Sequence, residues 1–376
     1  MASIEERRNA AGKVTSYRVI WRDQGTKRTQ TVRTRAQAEQ WQAILEAAQH
    51  DTAKAEQALL VALSTAPTLA EVAEHHISRL TNAQPDTMHR YRRFVTGHLA
   101  GMAGLPVDKI TEDDLVAWIR GMQQKGSSPK TIKNVHGFLH AVMATAVRRQ
   151  LRPDNPCNGA LLPRDTATED KATFLTVPEF NRLMGHVDEH YHPVFGFLLS
   201  TGLRFSEMAA LEPADVVLDA RVPAVRVTKA WKHDRAAGRW YVGPPKTRKG
   251  RRTVSIGPST VDLIRPAVEA ATPGTPVFRM ANGSVMRTHK VHEYVWQKAV
   301  KAANAGTSPL GKVPRIHDLR HSHAALMIAA GMSLYELAIR LGHESIQTTA
   351  DVYGHLVPDA HFRAAAMVEQ ALSVES

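Results

Sequence analysis

Apolar and polar positions change period several times along the chain, and each change predicts a different element. In Ser16 to Arg22, Tyr17, Val19 and Trp21 alternate with Arg18, Ile20 and Arg22, the period of two that a strand requires. A second alternating stretch, 26–34, follows Asp23, Gln24 and Gly25, so the pair predicts a hairpin. From Arg35 the spacing lengthens, and Trp41, Ile44 and Leu45 mark a helix able to cover the apolar face of the strands. Residues 51–67 read as a helical linker. Helices are then predicted over 68–80 and 86–99. A third opens at Thr111, where Asp114 completes a capping box, and a fourth runs from Ser128-Pro129 to about Arg149. The Pro-rich segment 153–170 reads as an extended linker and the main domain boundary. Beyond it, Thr176-Val-Pro-Glu179 is a helix start and an apolar helix ends at Ser200-Thr-Gly202. Short strands (VRVTKAW, RWYVG, RRTVSI) fill 215–256, and the chain reads as helical after Pro258. No internal repeat is visible.

Composition narrows the class. The 376 residues carry 48 Lys+Arg against 36 Asp+Glu, a formal charge of +12, with 43% hydrophobic residues. This predicts globular domains and an acidic partner, of which a polyphosphate backbone is the commonest. Cys157 is the single cysteine, which excludes an internal disulfide and any paired-cysteine zinc site, and fits a reducing cytoplasm. The N-terminus has no apolar signal core, and no run of about 18 apolar residues occurs, so no membrane association is expected.

The charge is unevenly placed. Seven Lys/Arg and one acid lie between Lys13 and Arg35, so a small sheet displaying Arg18, Arg22, Lys27, Arg28 and Arg33 is a candidate groove reader; charged strands also serve simply to prevent aggregation. From Gly121 to Arg152 six Lys/Arg occur without an acid, which makes Lys130, Lys133, Arg148 and Arg149 candidate phosphate contacts, although a solvated helix face is the plain alternative.

Four short blocks in the second half carry candidate chemistry. In TGLRFSEMAAL, Arg204 follows a Gly-containing break and can aim a rigid fork of donors into a pocket. In HDLRH, His317 and Arg320 stand three apart, so on a helix they address one ligand together. His317 and His321 also have the spacing of a zinc pair, but no HExxH is present and Arg320 adjoins them, which disfavours a metal. His343 lies at the helix junction RLGHESIQTT, and Tyr353 in DVYGHL. Singly, each has an ordinary explanation: an arginine caps or pairs, a histidine bonds its turn, a tyrosine packs in a core.

As an ordered set the blocks resemble the catalytic domain of the tyrosine recombinases, the phage integrases and related site-specific DNA recombinases, over about 174–356. The resemblance implies that Arg204, His317, Arg320, His343 and Tyr353 are catalytic, with Tyr353 the nucleophile. Lys246, in the Pro-Lys-Thr context of PPKTRKGRRTVSI, resembles the family's hairpin lysine, with Lys249 three residues on as the competing position. Glu207 matches an acidic position expected to hold a basic neighbour. The implied fold is mainly α with small β elements (α+β). It comprises a three-stranded sheet plus helix as an arm-type DNA-binding domain (1–50), a linker (51–67), a helical core-binding domain that clamps DNA (68–155), a second linker (156–172) and a catalytic domain with a C-terminal tail (173–376). That tail, helical over 360–374, would dock on a neighbouring subunit or simply close the domain.

The chemistry implied is attack by Tyr353 on a DNA phosphodiester to give a 3′-phosphotyrosyl ester, reversed by a 5′-hydroxyl of a new partner strand. Arg204 and Arg320 would clamp the phosphoryl oxygens, His317 would take the phenolic proton, Lys246 would protonate the departing 5′-oxygen and His343 would donate to a phosphoryl oxygen. No metal and no cofactor are implied. Expected partners are double-stranded attachment-site DNA, three further copies of the chain in a tetramer on that DNA, a host DNA-bending protein and a directionality factor. The setting would be a bacterial cytoplasm, and the role integration and excision of a mobile element such as a phage. A topoisomerase using the same tyrosine chemistry and a catalytically silent DNA-binding regulator are the competing functions.

Overall fold

The computed structural model describes residues 2–164 and 172–357, together with Ala365, Val368, Glu369, Leu372 and Ser373. The chain divides into two compact units, Met1–Thr166 and Ala167–Ser376. Ten of the fifteen residues of the predicted tail helix, 360–374, lie outside the described residues.

The first unit begins with an antiparallel sheet in the order β1-β2-β3, formed by β1 (Ser3–Arg8), β2 (Val14–Asp23) and β3 (Thr26–Val32). The turn joining β2 to β3 places Gln24 at φ 46° and Gly25 at φ 84°, the two left-handed residues that a tight hairpin needs to match strand twist. Tyr17 faces Val32, and Ile4 faces Val19, so one sheet face collects Ile4, Tyr17, Val19, Trp21 and Val32. Helix α1 (Arg35–Ala47) covers that face, with Trp41 meeting Trp21 edge to face at 5.9 Å. The segment read as a linker is helix α2 (Thr52–Leu63). It packs on α1, buries Ala55 in the same core, and takes a hydrogen bond from the Trp21 indole through Thr52 Oγ1 at 2.9 Å.

A helical core of its own follows, built by α3 (Leu69–Ser78), α4 (Pro85–Arg93) with a wider π turn at Phe94–His98, α5 (Glu112–Gln124) and α6 (Pro129–Arg148). The caps foreseen at Thr111 and Ser128 are present, and Thr68 with Glu71 makes another capping box. Cys157, from the expected linker, is buried in this core.

In the second unit, α7 (Val177–Met184) starts at the Thr176/Glu179 capping box, and α8 (His192–Thr201) ends on Gly202 in the left-handed region, φ 65°. The one-turn helix α9 (Phe205–Met208) follows. The strands resolve into an antiparallel sheet of β4 (Val216–Val217), β5 (Ala224–Val227) and β8 (Arg252–Ser255), and a separate hairpin of β6 (Ala230–Asp234) and β7 (Arg239–Gly243) inserted between β5 and β8. Beyond them come α10 (Pro258–Ala270), α11 (Thr288–Val291), α12 (Gln297–Ala303), α13 (Asp318–Ala329), α14 (Leu334–Leu341) and α15 (Ile346–Tyr353). The uninterrupted helical reading after Pro258 fails between α10 and α11. There Pro273, Gly274, Pro276 and Gly283 punctuate the chain, and Arg279 bridges to Val285.

Candidate active site

Two left-handed glycines build the frame. Helix α8 stops at Gly202 and α14 stops at Gly342, φ 67°. A Cβ on Gly202 would lie 2.5 Å from His323 Cδ2, and one on Gly342 would lie 2.9 Å from the Lys249 carbonyl oxygen, so both positions require glycine sterically as well as conformationally. The chain ends released there face Arg320, at the third residue of α13. Its Nη1 donates to the Gly202 carbonyl and its Nη2 to the Leu341 carbonyl, each at 2.7 Å. One buried guanidinium thus ties together the carbonyl ends of two helices, where the helix dipole favours a cation. Burial, with Arg204 nearby, still draws its pKa down to about 9.

Arg204 lies two residues past Gly202. Its backbone N–H donates to Glu207 Oε2 at 3.0 Å and its Nη1 to Glu207 Oε1 at 2.8 Å. Glu207 is 2% exposed and also receives Arg252 Nη2 at 3.0 Å, so one carboxylate holds two arginines. Burial opposes its charge, but Arg252 and Arg204 outweigh that and hold its carboxyl below the usual range. Arg252 further donates from Nε to the Arg340 carbonyl at 2.6 Å. Arg340 Nε donates to His323 Nε2 at 3.0 Å, while His323 Nδ1 donates to the Leu199 carbonyl at 2.8 Å, which fixes that buried histidine as a neutral tautomer.

The remaining residues line up beside Arg320. His317 caps the N-terminal end of α13, and its ring meets that of His321 edge to face at 5.1 Å. His321 Nδ1 lies 2.8 Å from the Tyr353 hydroxyl, contributed by the last residue of α15. The His317 imidazole makes no hydrogen bond among the described residues, while its backbone carbonyl accepts from the Arg320 N–H at 3.1 Å. His343 follows Gly342 and pairs through Nδ1 with Thr349 Oγ1 at 2.8 Å. Tyr353 is 1% exposed. Its burial pushes the phenol up to about 12, with Asp318 adding to the rise and Arg320 and Arg204 opposing it. Burial, the neighbouring arginines and His321 draw His317 and His343 down to about 4, so both are neutral at pH 7.

The structure therefore brings together Arg204, His317, Arg320, His343 and Tyr353 from segments spread over 150 residues of sequence. Lys246 is different. It lies exposed in the bend between β7 and the 3-10 turn Arg248–Gly250, with no hydrogen bond or ion pair among the described residues. The lysine tied to the cluster is Lys249, whose Nζ donates to the carbonyl of Glu344 at 2.8 Å, next to His343. His321 is the residue that sequence reasoning weighed only as a metal ligand. Its spacing from His317 was visible, but its contact with a residue 32 positions on was not.

In the first unit, strand register places Arg18, Arg22 and Lys27 on the sheet face opposite Trp21, whereas Arg28 pairs with Trp21 and stands on the covered face at its exposed rim. Arg33 lies just beyond β3. Lys130, Lys133, Arg148 and Arg149 are all exposed on or at the end of α6. Arg152, counted in the same acid-free stretch, is instead buried, with Nη1 donating to the Val107 and Ile110 carbonyls at 2.7 and 3.0 Å.

Residues 173–359 match the phage integrase family. The chain belongs to this family of tyrosine-type site-specific recombinases. It is 28% identical over 265 residues to the ICEBs1 integrase of Bacillus subtilis, covering 67% of this chain and 69% of the relative. It is 30% identical over 241 residues to the integrase of Mycobacterium phage L5, covering 63% of this chain and 62% of the relative, so the chain spans less than two thirds of that protein. Among solved structures it is similar in fold to the Tn1549 transposon integrase in complex with a circular intermediate DNA, at a TM-score of 0.71, 22% identity, and coverage of 81% of this chain and 99% of that one. It is also similar to a lambda integrase tetramer bound to a Holliday junction, at a TM-score of 0.57, 17% identity, and coverage of 93% and 94%. Among the described residues no helix is long and apolar enough to cross a membrane.

Proposed function

We propose that this chain integrates and excises a mobile genetic element by exchanging DNA strands at attachment sites through a 3′-phosphotyrosyl intermediate. The carrying observation is that Arg320, which binds the Gly202 carbonyl two residues before Arg204, is followed in α13 by His321, whose Nδ1 lies 2.8 Å from the Tyr353 hydroxyl. A phosphodiester presented there would meet the free donors of two guanidiniums as negative charge grows on its non-bridging oxygens. If the Thr349 hydroxyl donates to His343 Nδ1, the His343 proton sits on Nε2 and is available to a phosphoryl oxygen. Lys246 would protonate the departing 5′-oxygen, since its exposed ammonium, without a partner among the described residues, can reach the DNA. The ester conserves the energy of the broken bond, and a 5′-hydroxyl of a second duplex takes back the phosphate.

The integrases among the relatives, from a phage and from ICEBs1, favour a mobile element as the DNA exchanged. By analogy with the lambda tetramer on its junction, four copies would act together. The face carrying Arg18, Arg22 and Lys27 would bind a second DNA site, and exposed Lys130, Lys133, Arg148 and Arg149 would meet phosphates near the core site. A host DNA-bending protein and a directionality factor belong to the same proposal, as does action in the bacterial cytoplasm.

A duplex carrying the junction sequence of the element, nicked beside the cleavage position and incubated with the chain in EDTA, tests the reading. A covalent protein–DNA adduct should accumulate, and Tyr353→Phe should form none. An adduct that persists in Tyr353→Phe assigns the nucleophile elsewhere.

A further inference from the structure

We infer that His321, and not His317, accepts the proton of the Tyr353 phenol during attack. The inference rests on the reading of Tyr353 as nucleophile and goes beyond it in naming the base.

The geometry is specific. The Tyr353 hydroxyl lies 2.8 Å from His321 Nδ1, and that imidazole is its one hydrogen-bond partner among the described residues. With the phenol 1% exposed, bulk water is not at hand to take the proton. The two rings come from α13 and α15, and Phe174 meets His321 edge to face at 6.4 Å, so the imidazole is held between a packing ring and its partner. Burial, assisted by Arg315 and Arg320 and opposed by Asp318, lowers the pKa of His321, which keeps it neutral and able to accept. His317 is perpendicular to His321, adjoins Arg320, and has ring nitrogens without a hydrogen bond among the described residues, so it is placed to bond a phosphoryl oxygen instead.

The step balances as follows. Nδ1 of His321 takes the phenolic proton as the Oη–phosphorus bond forms. The bond from phosphorus to the 5′-oxygen breaks with its electron pair on that oxygen, which takes a proton from the Lys246 ammonium. In religation the incoming 5′-hydroxyl gives its proton to Lys246, and the His321 imidazolium returns its own to the released phenol.

A more acidic phenol needs a base less, which supplies the test. Tyr353 is replaced by 3,5-difluorotyrosine in the full-length parent, in His321→Asn and in His317→Asn. Single-turnover cleavage of the nicked junction duplex is then measured in EDTA, alongside binding of the same duplex and thermal melting. His321→Asn should bind as the parent does and cleave about 100-fold more slowly, with about tenfold recovered by the fluorinated tyrosine. His317→Asn should gain no more from fluorination than the parent gains. In His321→Gly, added imidazole should restore cleavage in proportion to its concentration, a readout that a packing role would not move. Cleavage by His321→Asn within about threefold of the parent overturns the inference, as does fluorotyrosine recovery confined to His317→Asn. A parent that forms no tyrosine-linked DNA at all overturns the nucleophile reading, which is a separate result.

Discussion

The two arginines read from the sequence as one clamp stand in different physical situations. Arg320 is 3% exposed and spends two N–H groups on the carbonyl ends of α8 and α14. Arg204 keeps its side chain 34% exposed and shares Glu207 with Arg252, which would still neutralise that carboxylate if Arg204 were gone. Their truncations should therefore separate. Arg320→Ala leaves two buried carbonyls unpaired, at about 1–3 kcal/mol each, and should lower the melting temperature together with cleavage. Arg204→Ala should melt close to the parent yet cleave about 100- to 1,000-fold more slowly, the loss usual for a donor to developing charge. Arg320→Lys should resemble Arg320→Ala in melting, because a single ammonium cannot reproduce the fork that spans both helix ends. Calorimetric melting beside single-turnover cleavage checks all three, and equal melting of Arg204→Ala and Arg320→Ala would show that the carbonyl contacts contribute nothing.

At the scale of elements, the helix that ends at Gly342 positions more than its own residues. A methyl group there would press on the Lys249 carbonyl at 2.9 Å and on the Arg252 side chain at 3.1 Å, and Arg252 is already bound to Glu207 and to the Arg340 carbonyl. Gly331 offers a control, since it is also left-handed, φ 93°, but open on all sides. Gly331→Ala should cost only the left-handed strain of about 1–2 kcal/mol, whereas Gly342→Ala should cost more and also slow cleavage by displacing Arg252. Urea unfolding of both variants measures the difference, and equal losses would mean that the loop yields without consequence. The elements themselves were legible where their signals are local. The Thr111/Asp114 and Thr176/Glu179 boxes and the Ser128-Pro129 pair place helix starts correctly, because a cap is made by residues three apart. The first strand was not visible in the alternation, since SIEERR buries little and becomes a strand only by pairing with β2. The site was legible as residue types, but the bond from His321 to Tyr353 joins two helices and has no signature in spacing along the chain.

Burial among a local excess of cations sets the protonation of the site, within a chain of formal charge +12. Arg204 and Arg252 share the Glu207 carboxylate, Arg320 lies within its field, Arg252 bonds the Arg340 carbonyl, and the histidines among them are held neutral. Burial is the largest cause for His317, His323 and His343, each drawn down to about 4, with neighbouring arginines adding to it. Since these values lie below the unfolded value of about 6.5, the unfolded chain binds more protons than the folded one between those limits. The stability this contributes is complete above about pH 6.5 and is lost progressively as pH falls toward about 4. Glu207, with its carboxyl below the usual range, acts in the same direction at the acidic end. Unfolding at pH 5.5 should consequently take up about three protons from these histidines, and more with His321. Calorimetry of the full chain in two buffers of different ionisation enthalpy reads the total uptake, to which His321, His76 and His136, also lowered by burial, add. Replacing the buried His323 by Gln, which can also donate to Leu199 and accept from Arg340, should remove about one proton from the count while leaving His317 and His343 unchanged. An uptake near zero at that pH would mean that the three histidines are already charged in the folded chain. His317 and His343 would then compete with Arg204 and Arg320 for the phosphate, and a charged His323 could no longer accept from Arg340 Nε.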